Sequence, residues 1–190
     1  MNSVFERIHV ENKSYGIKFL GSTEDPKAKD AGNGNLIRNC IFTNISVNIQ
    51  VIEDLDGQNR IPKNNLIANC TFNDAGAMFL FEANERGQNN SIINSIVNEV
   101  KNEFYSKSKD DKFNFTYSNF YSENSSYWSR KAESGEGNMS KNPNFENLSK
   151  NDFRLKASSP LIDEGKRIKE VKSDFLYFVY LVIRYTYINP

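Results

Sequence analysis

The sequence predicts an all-β chain stacked from about five similar coils, a parallel β-helix. Three observations carry this. A seven-residue segment recurs five times, a second β-prone segment follows each copy at a fixed distance, and a polar pair separates the two. The strongest copies are Leu36-Ile37-Arg38-Asn39-Cys40-Ile41-Phe42 and Leu66-Ile67-Ala68-Asn69-Cys70-Thr71-Phe72. Weaker copies are Val4-Phe5-Glu6-Arg7-Ile8-His9-Val10, Ser91-Ile92-Ile93-Asn94-Ser95-Ile96-Val97 and Asn114-Phe115-Thr116-Tyr117-Ser118-Asn119-Phe120. The copies begin at residues 4, 36, 66, 91 and 114, so the intervals are 32, 30, 25 and 23 residues. A recurring period of this size signals stacked units.

Aligned, the copies form columns. One column reads Phe5, Ile37, Ile67, Ile92, Phe115; three residues on comes Ile8, Cys40, Cys70, Ser95, Ser118; two further comes Val10, Phe42, Phe72, Val97, Phe120. A spacing of two is strand spacing, because alternate side chains share a face. The step of three predicts a bend between two strands. A helical repeat is excluded by composition, since Asn, Ser, Thr and β-branched residues are poor helix formers. Seven residues beyond the Val/Phe column stand Ile17, Ile49, Phe79, Phe104 and Tyr127, and the pairs Glu11-Asn12, Thr43-Asn44, Asn73-Asp74, Asn98-Glu99 and Tyr121-Ser122 mark a turn between. Asn and Asp favour turns because they bond their own backbone and tolerate left-handed geometry.

In order, the expected rungs are residues 3–20, 35–52, 65–82, 90–107 and 113–130, joined by polar loops. The rungs fill residues 1–130, a Gly-, Ser- and Asn-rich loop and a closing segment fill 131–165, and 166–190 is an atypical hydrophobic tail. The first rung is expected almost directly after Met1, and neither a signal peptide nor a cover for its open edge is expected within this sequence. The expectation is the C-terminal part of a longer protein whose missing N-terminal coils cover that edge; a partner or dimer contact is the alternative. The run from Phe175 to Tyr187 is too short, and too interrupted by Arg184, for a membrane span. It reads as a non-native tail, with a capping strand and an interface strand as competitors.

The repeats, together with Tyr15-Gly16-Ile17-Lys18-Phe19, resemble the single-stranded right-handed parallel β-helix proteins of the pectate-lyase-like superfamily. A second run supports this: Asn142-Pro143-Asn144-Phe145, Asn151-Asp152-Phe153-Arg154-Leu155-Lys156 and Ser158-Ser159-Pro160-Leu161-Ile162-Asp163-Glu164-Gly165. It is similar to the C-terminal closing segment of many secreted bacterial β-helix proteins, polysaccharide lyases among them. The resemblance implies a secreted or cell-surface protein associated with carbohydrate, whose full-length form binds or cleaves an acidic polysaccharide by uronate β-elimination. The alternatives are a non-catalytic surface or adhesion module and an inactive truncated product.

Composition narrows the partners. The 24 basic and 24 acidic residues cancel, which removes the bulk-charge case for nucleic acid. The two cysteines hold equivalent places in adjacent rungs and read as a buried thiol ladder rather than a disulfide. No Cys/His spacing suits a metal, and the single histidine, His9, falls on an outward position. The acidic loop Glu53-Asp54-Asp56 offers hard oxygen ligands to Ca²⁺ but reads as a solvated turn, so no cofactor is assigned.

Chemistry in such a stack belongs on the outward face of the second strand. The register predicts three outward stripes: Lys18, Gln50, Leu80, Tyr105, Trp128; Leu20, Ile52, Glu82, Lys107, Arg130; and Gly16, Asn48, Met78, Glu103, Ser126. Tyr105, Trp128 and Glu103 form the candidate sugar-binding set, because flat rings stack on apolar sugar faces and carboxylates accept from hydroxyls. Lys107 and Arg130 are the candidate catalytic pair, a base and a carboxylate neutraliser.

Overall fold

The computed structural model describes residues 3–20, 32–52, 63–82, 89–104, 113–124, 132 and 134–168. Each of the first four repeats places a short strand, a two-residue corner and a longer strand in that order, and the fifth places two short ones around the same corner. The elements are β1 (Val4–Glu6), β2 (His9–Leu20), β3 (Leu36–Arg38), β4 (Ile41–Ile52), β5 (Leu66–Ala68), β6 (Thr71–Glu82), β7 (Asn90–Ile93), β8 (Ile96–Phe104), β9 (Phe113–Thr116) and β10 (Asn119–Tyr121). A hairpin of β11 (Phe145–Asn147) and β12 (Asp152–Leu155) follows, joined through a 3-10 turn at Leu148–Lys150.

The short strands form one five-stranded sheet, ordered β1-β3-β5-β7-β9, and the long strands a second, ordered β2-β4-β6-β8-β10. Every pairing within these two sheets is parallel. Phe5, Ile37, Ile67, Ile92 and Phe115 are register partners in turn, and so are Val10, Phe42, Phe72, Val97 and Phe120. These are the columns legible in the sequence. Apart from Phe5, their side chains fill or pack against one core, in which the Phe42 and Phe72 rings stack at 5.1 Å and 10°.

The corner between the sheets is one left-handed residue per unit: Arg7, Asn39, Asn69, Asn94 and Tyr117, with φ between 49° and 59°. Asn tolerates this region better than most residues with a Cβ, which explains the Asn before Cys40, Cys70 and Ser95. A second left-handed residue, Asn12, Asn44, Asp74 or Glu99, sits where the sequence predicts a turn. The structure corrects that expectation: the long strand runs on through the position with a single-residue kink, and pairing resumes at Lys13, Ile45, Ala75 and Val100.

Polar columns hold the units in register. Asn65 Oδ1 accepts from the Asn35 backbone N–H (2.9 Å) and side-chain amide (3.0 Å). Asn90 Oδ1 accepts the same pair from Asn65 at 3.1 and 3.0 Å. In the next column the Cys40 and Cys70 thiols are free, and each donates to the carbonyl two residues back. Ser95 and Ser118 repeat this with hydroxyls, whose oxygens also accept the backbone N–H of Cys70 and Ser95. The thiol ladder expected from the sequence is therefore present. Burial pushes the Cys70 thiol well above its ordinary value, and the neighbouring Cys70 side chain lowers Cys40.

The closing segment first adds a partial sixth layer. Met139 bridges Asn119 in parallel, and Asn138 Oδ1 accepts from the Ser118 N–H at 3.0 Å. The hairpin then turns back along the outside of the long-strand sheet. Phe145, Phe153, Leu155 and Leu161 pack with Ile41 and Ile96 as a second apolar core. Two asparagines fasten the segment by pairing with backbone as a strand would. Asn119 exchanges hydrogen bonds with Lys141 (2.9 Å each way), and Asn94 with Lys166 (2.6 and 2.8 Å).

This corrects two readings of outward surface. The position of His9 and its register partners Ile41 and Thr71 was expected to face solvent; only His9 does, and Ile41 and Thr71 are buried, as are Ile96 and Asn119 further along the same column. His9 meets the Phe153 ring edge-on at 6.4 Å. The stripe of Gly16, Asn48, Met78 and Glu103 is likewise not open surface, since Asn48, Met78 and Glu103 are buried, and so is Gln50 in its neighbour stripe. Strand alternation assigns a face, but what packs on that face decides its exposure.

At the opposite edge the first unit is open. Phe5 and Ile8 keep 46% and 41% of their surface exposed, and they line an apolar mouth of about 510 Å³ with Val10, Ile17, Phe19 and Cys40. Among the described residues no helix is long and apolar enough to cross a membrane.

Candidate functional site

The kink in each long strand creates an open concave surface on the described chain. A residue in left-handed geometry turns the strand, so the two residues at the kink project from a corner rather than from a flat sheet. Because the units stack in register, the corners stack too. Glu11, Thr43, Asn73 and Asn98 form one line, and Asn12, Asn44, Asp74 and Glu99 form the line beside it. Leu148, Ser149 and Asn151 of the hairpin turn stand along the other side, and Lys101, Ser122 and Asn124 complete the lining. The result is a groove of about 890 Å³ that crosses five successive units.

The inner line is organised by its own hydrogen bonds. Asn73 Nδ2 donates to Thr43 Oγ1 at 3.1 Å, and Asn98 Nδ2 donates to Asn73 Oδ1 at 2.7 Å. Asn44 Nδ2 donates to Asn12 Oδ1 in the line beside it. At the far end Glu99 accepts from the Ser122 hydroxyl (2.9 Å) and the Glu123 N–H (2.8 Å), which fixes its carboxylate. The exposed Asp74 carboxylate and Lys101 ammonium have no hydrogen-bond or ion-pair partner among the described residues, so both are available to a ligand. The floor is thus a preorganised row of amides and hydroxyls, and the charges sit along its length. Such an array suits a long molecule with many hydroxyl groups.

The sequence-predicted site is mostly elsewhere. Tyr105, Lys107, Trp128 and Arg130 lie outside the described residues, as do Glu53, Asp54 and Asp56 and the tail from residue 169 onward. Glu103 is described, and at 9% exposure it is buried rather than presented to a ligand. Among the described residues no cluster of three or more His, Cys, Asp or Glu could hold a metal ion. The kink residues were visible in the sequence as turn pairs. What it did not show is that a hairpin some 25 residues beyond the last repeat would wall them into a groove.

A charged cluster among the described residues also lies at the fifth corner, outside the groove. The Tyr117 hydroxyl donates to Glu136 Oε1 at 2.5 Å, which raises the phenol and lowers the carboxyl, while Lys166 Nζ lies over the Tyr117 ring at 4.9 Å. These groups join the corner of the fifth unit to the end of the closing segment.

No family model, curated protein or solved structure matches the chain.

Proposed function

We propose that this chain is a right-handed parallel β-helix that binds an extended polysaccharide along the groove of stacked strand corners. The winding is supported by the strict alternation of the chain between two all-parallel sheets, with one strand of each unit in each sheet. Parallel strands joined by crossovers are right-handed in nearly all proteins, so the same hand is assigned here. The single observation that carries the binding reading is the open polar groove from Glu11 to Ser122, repeated unit by unit. A linear polymer of hydroxylated rings presents donors and acceptors at regular intervals, and this groove presents side-chain amides in each of its first four units, with hydroxyls and carboxylates among them.

A binding module rather than an enzyme is the reading the groove favours, because its described residues include only one basic side chain, Lys101. Uronate β-elimination needs a base together with a neutraliser for the sugar carboxylate. In this chain that role falls to Lys107 and Arg130, and the enzymatic proposal rests on them alone.

The test is a glycan panel measured by calorimetry with the intact chain, alongside an ultraviolet assay for unsaturated uronate. Binding that disappears in Ser149→Trp, which fills the groove from an exposed position, is the expected result. Binding that survives Ser149→Trp would move the site elsewhere. Turnover lost in Lys107→Ala and Arg130→Ala would favour the lyase over the module.

A further inference from the structure

The charge on the groove specifies its ligand further. Its described lining carries three carboxylates, Glu11, Asp74 and Glu99, against one ammonium, Lys101. These carboxylates come from the first, third and fourth units, so the negative charge extends along the groove rather than gathering at one point. At physiological ionic strength charges within about 8 Å of one another are not screened apart. A polyuronate lying here would set a carboxylate on each sugar against this row, and like charges in such proximity oppose binding.

The spacing carries a second constraint. Hydrogen-bonded strands lie about 4.8 Å apart, so the groove repeats its polar groups at that interval. An extended β-1,4-linked hexose chain advances by a comparable, slightly longer distance per sugar. One sugar then faces one unit, and each ring meets an equivalent pair of corner residues. Hydroxyls and acetamido groups match the Asn and Thr side chains, and an amine would match Asp74.

Resting on the polysaccharide reading above, we infer that the groove accepts an uncharged or amine-bearing β-1,4-linked hexose chain, one sugar per unit, and rejects polyuronates. The ligand class is that of β-glucans and of N-acetylated or deacetylated β-glucosamine chains.

The experiment uses the intact chain and defined oligosaccharides from disaccharide to hexasaccharide: β-1,4-glucose, N-acetylated and free β-1,4-glucosamine, and galacturonate. Each is titrated at low and high salt, with added Ca²⁺ or with chelator, against wild type, Asp74→Asn and Ser149→Trp. The expected result is a neutral or amine-bearing series that binds at least about tenfold tighter than galacturonate of equal length. Its affinity rises with chain length and levels off near five sugars, the number of units the groove crosses. Free glucosamine oligomers additionally weaken in high salt and in Asp74→Asn, whereas neutral ones do not.

Galacturonate binding as tightly, with or without Ca²⁺, and lost in Ser149→Trp, overturns the charge inference and leaves the groove reading standing. No binding by any series, or binding indifferent to Ser149→Trp, overturns the groove reading itself. Affinity independent of length beyond the disaccharide overturns the one-sugar-per-unit register.

Discussion

Replacing Asn65 by alanine should destabilise the protein by about 3 kcal/mol, because Asn65 is the middle member of an asparagine column joining three units. Its side chain is almost fully buried, with 1% of the residue exposed. The substitution removes the acceptor of the Asn35 backbone N–H (2.9 Å) and of the Asn35 amide (3.0 Å), and the donor that reaches Asn90 Oδ1 (3.0 Å). Two lost side-chain hydrogen bonds contribute roughly 1 kcal/mol each, and a partly buried N–H left without an acceptor adds about 1–2 kcal/mol. Asn90 Oδ1 keeps the Asn65 backbone N–H at 3.1 Å, so it adds little. For a chain of this size each kcal/mol moves the midpoint by about 2–4 °C, which gives a fall of roughly 9 °C. Urea unfolding followed by circular dichroism measures the loss, and an unchanged m-value shows that the denatured state is not the cause. Ser46→Ala, at an exposed position, should change stability by less than about 0.5 kcal/mol. If Asn65→Ala costs under about 1 kcal/mol, the column does not hold the units together and the argument is wrong.

Three further outcomes are expected. A methyl group at Gly76 would lie 2.7 Å from the Ser46 carbonyl oxygen, a backbone atom that cannot rotate away. Gly76→Ala should therefore cost about 1–3 kcal/mol by denaturant titration, and a neutral result would show that the strands part freely there. Glu6 is held below its ordinary pKa of 4.5 chiefly by the hydrogen bond from Arg38, at 2.8 Å. Its pKa is depressed in the folded state, so the stabilisation is present above the unfolded value and is lost as pH falls through the folded one. Arg38→Gln should accordingly cost up to about 1 kcal/mol at neutral pH, with the gap to wild type closing in acid; a gap that widens on acidification would contradict this. Asn94→Gly keeps the left-handed backbone but removes the exchange with Lys166, so limited trypsin digestion at Lys166 and Arg167 should accelerate while the stacked strands stay protected. Equal digestion rates would mean the pair does not fasten the closing segment.

The sequence by itself determined the repeat, the bend within each unit and the core columns. Phe5 through Phe115 and Val10 through Phe120 became register partners as their spacing required, because in-register parallel stacking superposes equivalent residues. The Asn of the repeat also foretold its own left-handed corner, since that geometry is a local property of the residue. Tertiary structure decided which outward positions stay outward. Ile41, Ile96 and Thr71 alternate as surface residues should, yet the hairpin carrying Phe145 and Phe153 covers that flank. Glu103 alternates outward as well and is nevertheless buried. The groove has the same origin. Its polar pairs are local and legible, while the wall formed by Leu148, Ser149 and Asn151 comes from a segment far along the chain. Periodicity records which face a side chain takes, and only contacts between distant segments determine whether that face meets water, a ligand or the protein itself.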